Sequence, residues 1–139
     1  MPIAYLDVPD GIQIDEKKKL AKEIYDALHE AYRFPDDVRI FIREWPLYSV
    51  SQDGRLGDEP ARPVFMMHVP QGITINAKRK MMTGINAAVA AAYQLPKFII
   101  FMHEYPLELV SLDGALHADN QARVDAQKKA YSIPEKDPI

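Results

Sequence analysis

The chain repeats itself, and that constrains its fold more than any other feature. Residues Pro2 to Pro35 align without a gap on Pro63 to Pro96, an offset of 63 − 2 = 61, with 13 of 34 positions identical. The identities include Pro2/Pro63, Val8/Val69, Pro9/Pro70, Gly11/Gly72, Ile24/Ile85 and Tyr32/Tyr93. One deletion later the offset becomes 60, and Ile40–Leu56 matches Ile100–Leu116 at 10 of 17 positions. Glu44-Trp45-Pro46-Leu47 answers Glu104-Tyr105-Pro106-Leu107. Copies of this kind are single supersecondary units that bury a core only against one another. The chain therefore reads as a tandem duplication.

Each copy reads strand, helix, strand. The first strand, Ile3–Val8, ends in a Pro-x-Gly turn, where glycine takes a positive φ cheaply. A helix starting near Asp15 as N-cap carries Leu20, Ile24, Ala27, Leu28 and Ala31 on one face and stops before Pro35. Its partner, from Asn76, carries Met81, Ile85, Ala88, Val89 and Ala92 and stops before Pro96. The second strands, Val38–Glu44 and Phe98–Glu104, are rich in β-branched and aromatic residues, and each leads to an Asp-Gly hairpin turn. Parallel strands joined through a helix need a right-handed crossover. The expected fold is thus α+β, two tandem β-α-β units forming a four-stranded mixed sheet with both helices on one face. Residues 1–116 are expected to form one domain from repeats 1–57 and 63–116, joined by the linker 58–62. Residues 117–139 repeat nothing and read as a surface extension or a short helix on a neighbouring subunit. Nothing within the chain is left to cover the other sheet face, so oligomerisation is expected.

Composition excludes several function classes. A net charge of −3 offers no polybasic field for nucleic acid or anionic lipid. The absence of cysteine removes disulfides, thiolate catalysis and Cys-based metal sites. The four histidines, His29, His68, His103 and His117, show no ligand spacing, so no metal is expected. With no apolar run long enough to span a bilayer and no charged-then-apolar leader, a cytoplasmic protein without membrane contact is expected.

The start of the chain carries the chemistry. Removal of Met1 leaves Pro2 with a free secondary amine opening directly into a strand. The Pro2-Ile3-Ala4 strand, the Gly turn, the Asp15-Glu16-Lys17-Lys18 helix start, Val38-Arg39-Ile40 and Glu44 together resemble 4-oxalocrotonate tautomerase. The fused double unit, with Glu-x-Pro after each second strand, is similar to the longer cis-3-chloroacrylic acid dehalogenase and malonate semialdehyde decarboxylase families. On these features the chain is identified as a member of the tautomerase superfamily. The resemblance implies the tautomerase/MIF-like fold, a homotrimer whose sheets line the centre, no cofactor, and a small carbonyl or carboxylate substrate. It also implies that Pro2 is the catalytic residue, while Pro63, an internal imide, marks a dead pseudo-site.

The substrate-binding pattern departs from the family's. Its carboxylate-holding arginine stands just after the Gly turn, where this chain has Ile12 and Ile73. Arg39 matches an arginine of the short tautomerases, but by the pseudo-twofold the second copy serves Pro2, and there the matching residue is Ile99. The dehalogenase's second-copy tyrosine falls on Phe101 and its water-activating acid on Leu112. Ile73, Ile99 and Phe101 are expected as apolar walls that depress the amine's pKa. Arg33 matches a substrate-reaching lysine of the macrophage migration inhibitory factor family and is the expected carboxylate anchor; a solvated helix-terminal charge is the plainer reading. His29 lies within one residue of a substrate-binding histidine of the dehalogenase, but aligning the helices puts Leu28 there, and a surface residue is the favoured reading. His103 shares the strand parity of Ile99 and Phe101 and is a candidate donor or anchor. Trp45 and Tyr105 read as interface packing, and Glu44 and Glu104, recurring in both copies, as structural.

The leading expectation is a cofactor-independent tautomerase in which Pro2 is the general base for keto-enol exchange in a small 2-oxo acid or related carbonyl compound. One alternative is a hydratase, dehalogenase or decarboxylase of an unsaturated or β-keto acid with Pro2 protonated. The other is a non-catalytic trimer that binds a ligand or protein.

Overall fold

The computed structural model describes residues 2–33 and 37–131. Met1, Pro35 and the last eight residues of the extension, on which some of the expectations above rest, lie outside them. In chain order the elements are β1 (Ile3–Pro9), α1 (Ile14–Tyr32), β2 (Arg39–Trp45), the β3–β4 hairpin (Ser51–Gln52, Arg55–Leu56), β5 (Val64–Pro70), α2 (Ile75–Tyr93), β6 (Ile99–Tyr105), the β7–β8 hairpin (Ser111–Leu112, Ala115–Leu116) and α3 (Gln121–Tyr131). Each second strand and its hairpin are joined by a 3-10 turn, Leu47–Ser49 and Leu107–Leu109.

The four long strands form one mixed sheet in the order β2-β1-β5-β6. β1 and β2 are parallel, as are β5 and β6, and the two units meet antiparallel along β1 and β5. In that central pair Tyr5 lies opposite Met66, its own equivalent under the offset of 61 (5 + 61 = 66), so the pseudo-twofold passes between them. The equivalent backbone bonds recur on either side: Arg39 N–H donates to Pro2 O at 3.1 Å and Ile99 N–H to Pro63 O at 3.3 Å.

Period-two alternation assigns the faces. Ala4, Leu6 and Val8 of β1 and Phe65, Met67 and Val69 of β5 are buried under the helices. They meet Leu20, Ile24 and Leu28 of α1 and Met81, Ile85 and Val89 of α2, the stripes expected from helical spacing. The opposite face carries large side chains in the open, among them Phe41 at 47% and Phe101 at 49% exposure.

The helix starts correct the sequence reading. Gln13, not Asp15, is the N-cap of α1, and its side chain makes no capping bond. Asp15 sits in the first turn, where the helix dipole favours a carboxylate. α2 starts at Ile75, one residue before Asn76, and is capped by Thr74, its Oγ1 accepting from Ala77 N–H at 3.1 Å. Both hairpins turn as expected, with positive φ at Asp53 and Gly54 (53° and 81°) and at Asp113 and Gly114 (52° and 83°). The strand-ending glutamates tie strand to helix: Lys17 pairs with Glu44, and its equivalent Lys78 with Glu104 at 2.9 Å. That symmetry supports their structural reading. The extension forms α3, which packs on its own chain, Gln127 Nε2 donating to Gln71 O at 3.3 Å.

The repeated tyrosine closing α2 has its hydroxyl buried. Tyr93 Oη finds no hydrogen-bond partner among the described residues. Burial, and then the charges of Glu44 and Glu16, push its ionisation from 10.0 up to about 12. The unfolded chain then loses this proton first, so stability falls as pH rises from about 10 toward 12. Tyr93→Phe should flatten that alkaline slope in urea titrations at fixed protein concentration. At neutral pH it should not destabilise, since it removes an unpaired buried hydroxyl. Thr74→Ala should cost about 1 kcal/mol and Gln13→Ala close to nothing, because only the first removes a capping bond.

Candidate functional site

The antiparallel register decides which side chains surround the start of β1. Ile3 lies opposite His68, so the N-terminal end of β1 runs beside the C-terminal ends of β5 and β6. The 3-10 turn after β6 and the first turns of α3 close over the same place. Together they line a cavity of about 200 Å³ that is open on one side. Its apolar walls are Ile3, Val69, Pro70, Leu107, Leu109 and Val110. Its polar groups are His68, Tyr105, His117 and Arg123.

Within it, His68 Nδ1 and the Tyr105 hydroxyl are hydrogen-bonded at 2.7 Å. His103, opposite His68 in the β5–β6 register, places its ring 5.4 Å from that of His68. His117 is buried. Three of the chain's four histidines therefore gather at one end of the sheet, although sequence spacing gave no hint of it. Among the described residues no group of three or more His, Asp or Glu is placed to hold a metal ion.

The equivalent end of the first repeat is built differently. Asp7 stands where the second repeat has His68, Arg43 where it has His103, and Trp45 where it has Tyr105. There Trp45 Nε1–H donates to Asp7 Oδ1 at 2.7 Å and Arg43 to Asp7 Oδ2 at 2.8 Å. The Arg43 guanidinium also lies 4.7 Å over the Tyr5 ring, which stacks on Phe41. Each donor at that end is directed at a partner in the same cluster. A second difference follows in the hairpin. Gly57 has positive φ, and any side chain there would run into the ring of Tyr48, whereas the second repeat replaces the pair with His117 and Glu108.

The expected site residues are distributed as follows. Pro2 immediately precedes cavity-lining Ile3, and its ring is fully buried, on the strand parity that faces the helices. His103 and Phe101 lie on the open sheet face, His103 level with Ile3 and Phe101 level with Tyr5. Ile99 is on the same face but pairs with Val64, four residues further along the ladder, roughly 13 Å from the His68 level. Ile73 belongs to the core beneath the helices. Arg33 is the left-handed C-cap of α1 (φ 61°), at the end of the sheet where β1 starts. His29 stacks on Tyr25 of its own helix at 5.6 Å. Of these, Pro2, Arg33 and His103 stand at the end of the sheet where the cavity lies, Pro2 on the helix side and His103 on the open side, while Ile73 is in the core and His29 on its helix.

Sequence reasoning passed over His68, Tyr105, His117 and Arg123. The signal available was the break in the repeat. Where two copies agree the residue serves the fold they share, and Asp7/His68, Trp45/Tyr105 and Gly57/His117 are places where they disagree in chemical kind.

No family model matches this sequence, and no curated protein does. Solved structures do. A native fused 4-OT superposes with a TM-score of 0.75 at 20% identity, over 84% of this chain and 96% of its own. Pt0534 inactivated by 2-oxo-3-pentynoate gives 0.74 at 16%, over 86% and 98%. N1, a member of the cis-3-chloroacrylic acid dehalogenase family, gives 0.71 at 15%, over 94% and 99%. The chain has the fold of the fused tautomerases.

Proposed function

We propose that this chain is a cofactor-independent tautomerase-superfamily enzyme, trimeric, with the amine of Pro2 as general base toward a small 2-oxo acid or related carbonyl compound. The observation that carries the reading is the β1–β5 register, which sets the residue after Pro2 in the wall of a largely apolar cavity. Burial of the proline ring disfavours a charged ammonium, which suits a base better than a standing acid. In the reaction the amine takes a proton from the carbon next to the carbonyl. The C–H electron pair becomes the enol double bond, the carbonyl π pair moves to the oxygen, which takes a proton from water, and in the reverse direction the ammonium returns a proton to the α-carbon as the oxygen gives its own up to water.

The exposed sheet face supports the trimer. Tyr5, Phe41, Ile99 and Phe101 make an apolar field that no element of the chain covers among the described residues. A fused 4-OT of this fold has been solved as an asymmetric trimer, at 20% identity and a TM-score of 0.77. No helix among the described residues is long and apolar enough to cross a membrane.

The test begins with intact mass, which should show Met1 removed. If it is retained, Pro2 is an amide without a basic lone pair and the proposal is lost. An acetylenic 2-oxo acid such as 2-oxo-3-pentynoate should then add to the amine at the far alkyne carbon. The amine proton moves to the neighbouring carbon, nothing leaves, and the chain gains the mass of one reagent molecule. Pro2→Ala, left with a primary amine in place of the secondary one, should gain it more slowly. The same variant should lower kcat/KM for ketonisation of an arylpyruvate enol by about 10² to 10⁴-fold, the usual worth of a positioned base.

A further inference from the structure

We infer that Tyr105 is the group that holds the substrate's carbonyl oxygen, and that His68 is the positioning residue that turns the Tyr105 hydroxyl toward it. This rests on the tautomerase reading of the cavity and assigns the polar half of the site, which the expected arginine positions do not supply, being Ile12 and Ile73.

The argument starts from hydrogen-bond capacity. An indole N–H has one hydrogen and no acceptor, so Trp45, bonded to Asp7, has nothing left to offer a ligand. A phenol has one hydrogen and two lone pairs. Tyr105 uses one of these capacities on His68 at 2.7 Å. When the imidazole carries its hydrogen on Nδ1, that hydrogen is donated to the phenol oxygen, and the hydroxyl hydrogen is directed elsewhere. Tyr105 lines the cavity, so a ligand oxygen there is within its compass. A bond of this kind gains strength as negative charge develops on the oxygen during enolisation, and the apolar walls Leu107, Leu109 and Val110 offer that oxygen no competing donor. No proton need pass through the pair: Tyr105 donates to the oxygen, and His68 donates to Tyr105.

The repeat adds an independent reason. At the first-repeat end the equivalent positions hold a carboxylate satisfied by Arg43 and Trp45, a closed cluster. The second repeat replaces all three members, and the imidazole and phenol that result have spare capacity. A volume of about 200 Å³ suits a small aryl or alkyl 2-oxo acid and nothing the size of a nucleotide.

Benzoylformate is the probe, a 2-oxo acid with no hydrogen to lose, so that binding is read apart from turnover. Wild type should bind it saturably, and Tyr105→Phe, which keeps the ring and removes only the hydroxyl, should weaken Kd about tenfold or more. His68→Leu should weaken it similarly. His68→Asn, whose amide reaches the place of Nδ1, should restore most of the affinity, which a merely structural histidine would not explain. With an arylpyruvate enol, Tyr105→Phe should lower kcat more than it raises KM, since the bond strengthens toward the transition state. Equal Kd for wild type and Tyr105→Phe, or no saturable binding by wild type at millimolar probe, overturns the inference. Pro2→Ala separates the two proposals: it should keep benzoylformate affinity while losing turnover, and full turnover in it would remove the proline base while leaving the Tyr105 contact standing.

Discussion

Everything in this molecule follows from one pairing, the antiparallel ladder between β1 and β5. Each repeat alone is a two-stranded parallel ribbon under a single helix, too small to bury its own apolar face. Joining the two through β1 and β5 makes one sheet, lets α1 and α2 lie side by side over it, and closes a core from both copies. Because the axis passes between Tyr5 and Met66, the start of each first strand meets the far end of the other copy. The start of β1 is thereby delivered to a place built by residues more than sixty positions away.

Duplication sets a symmetric frame, and the function proposed here lies in its asymmetries. The parts that hold the frame remain alike: the Lys17–Glu44 and Lys78–Glu104 pairs, the helix-closing tyrosines Tyr32 and Tyr93, and the two Asp-Gly hairpins. The parts facing the two strand ends have diverged. One end is an ion-paired carboxylate under an indole, and the other an imidazole and a phenol beside a cavity that α3 helps to close. Such divergence costs the fold little, since exposed ion pairs contribute about 0 to 1 kcal/mol each.

The uncovered sheet face belongs to the same picture. Alternation in the strands puts Ala4, Leu6 and Val8 under the helices and leaves Ile3, Tyr5 and Asp7 on the other side. A single layer of helices leaves a field of aromatic and aliphatic side chains, cross-linked by the Tyr5–Phe41 stack and the Arg43 guanidinium. Packing among copies is the economical way to remove such a field from water.

The amino-acid sequence determined the architecture by itself. Period-two and period-3.6 patterns, glycine at the turns and the internal repeat are signals carried along the chain, so strands, helices, hairpins and the two-unit plan are legible in it. Helix starts were off by one or two residues: Asp15 looks like a cap while Gln13 holds that position, and the second helix begins at Ile75, not Asn76. The cavity was not legible: of the residues singled out, Pro2 only precedes its wall residue Ile3, and His103 only stands beside its His68. Tyr105 read as interface packing and His68 as an unplaced imidazole, since which side chains share a cavity depends on strand register and on where α3 returns. Those are non-local pairings, fixed by how the two sheet halves and their helices pack, and no window along the chain contains them.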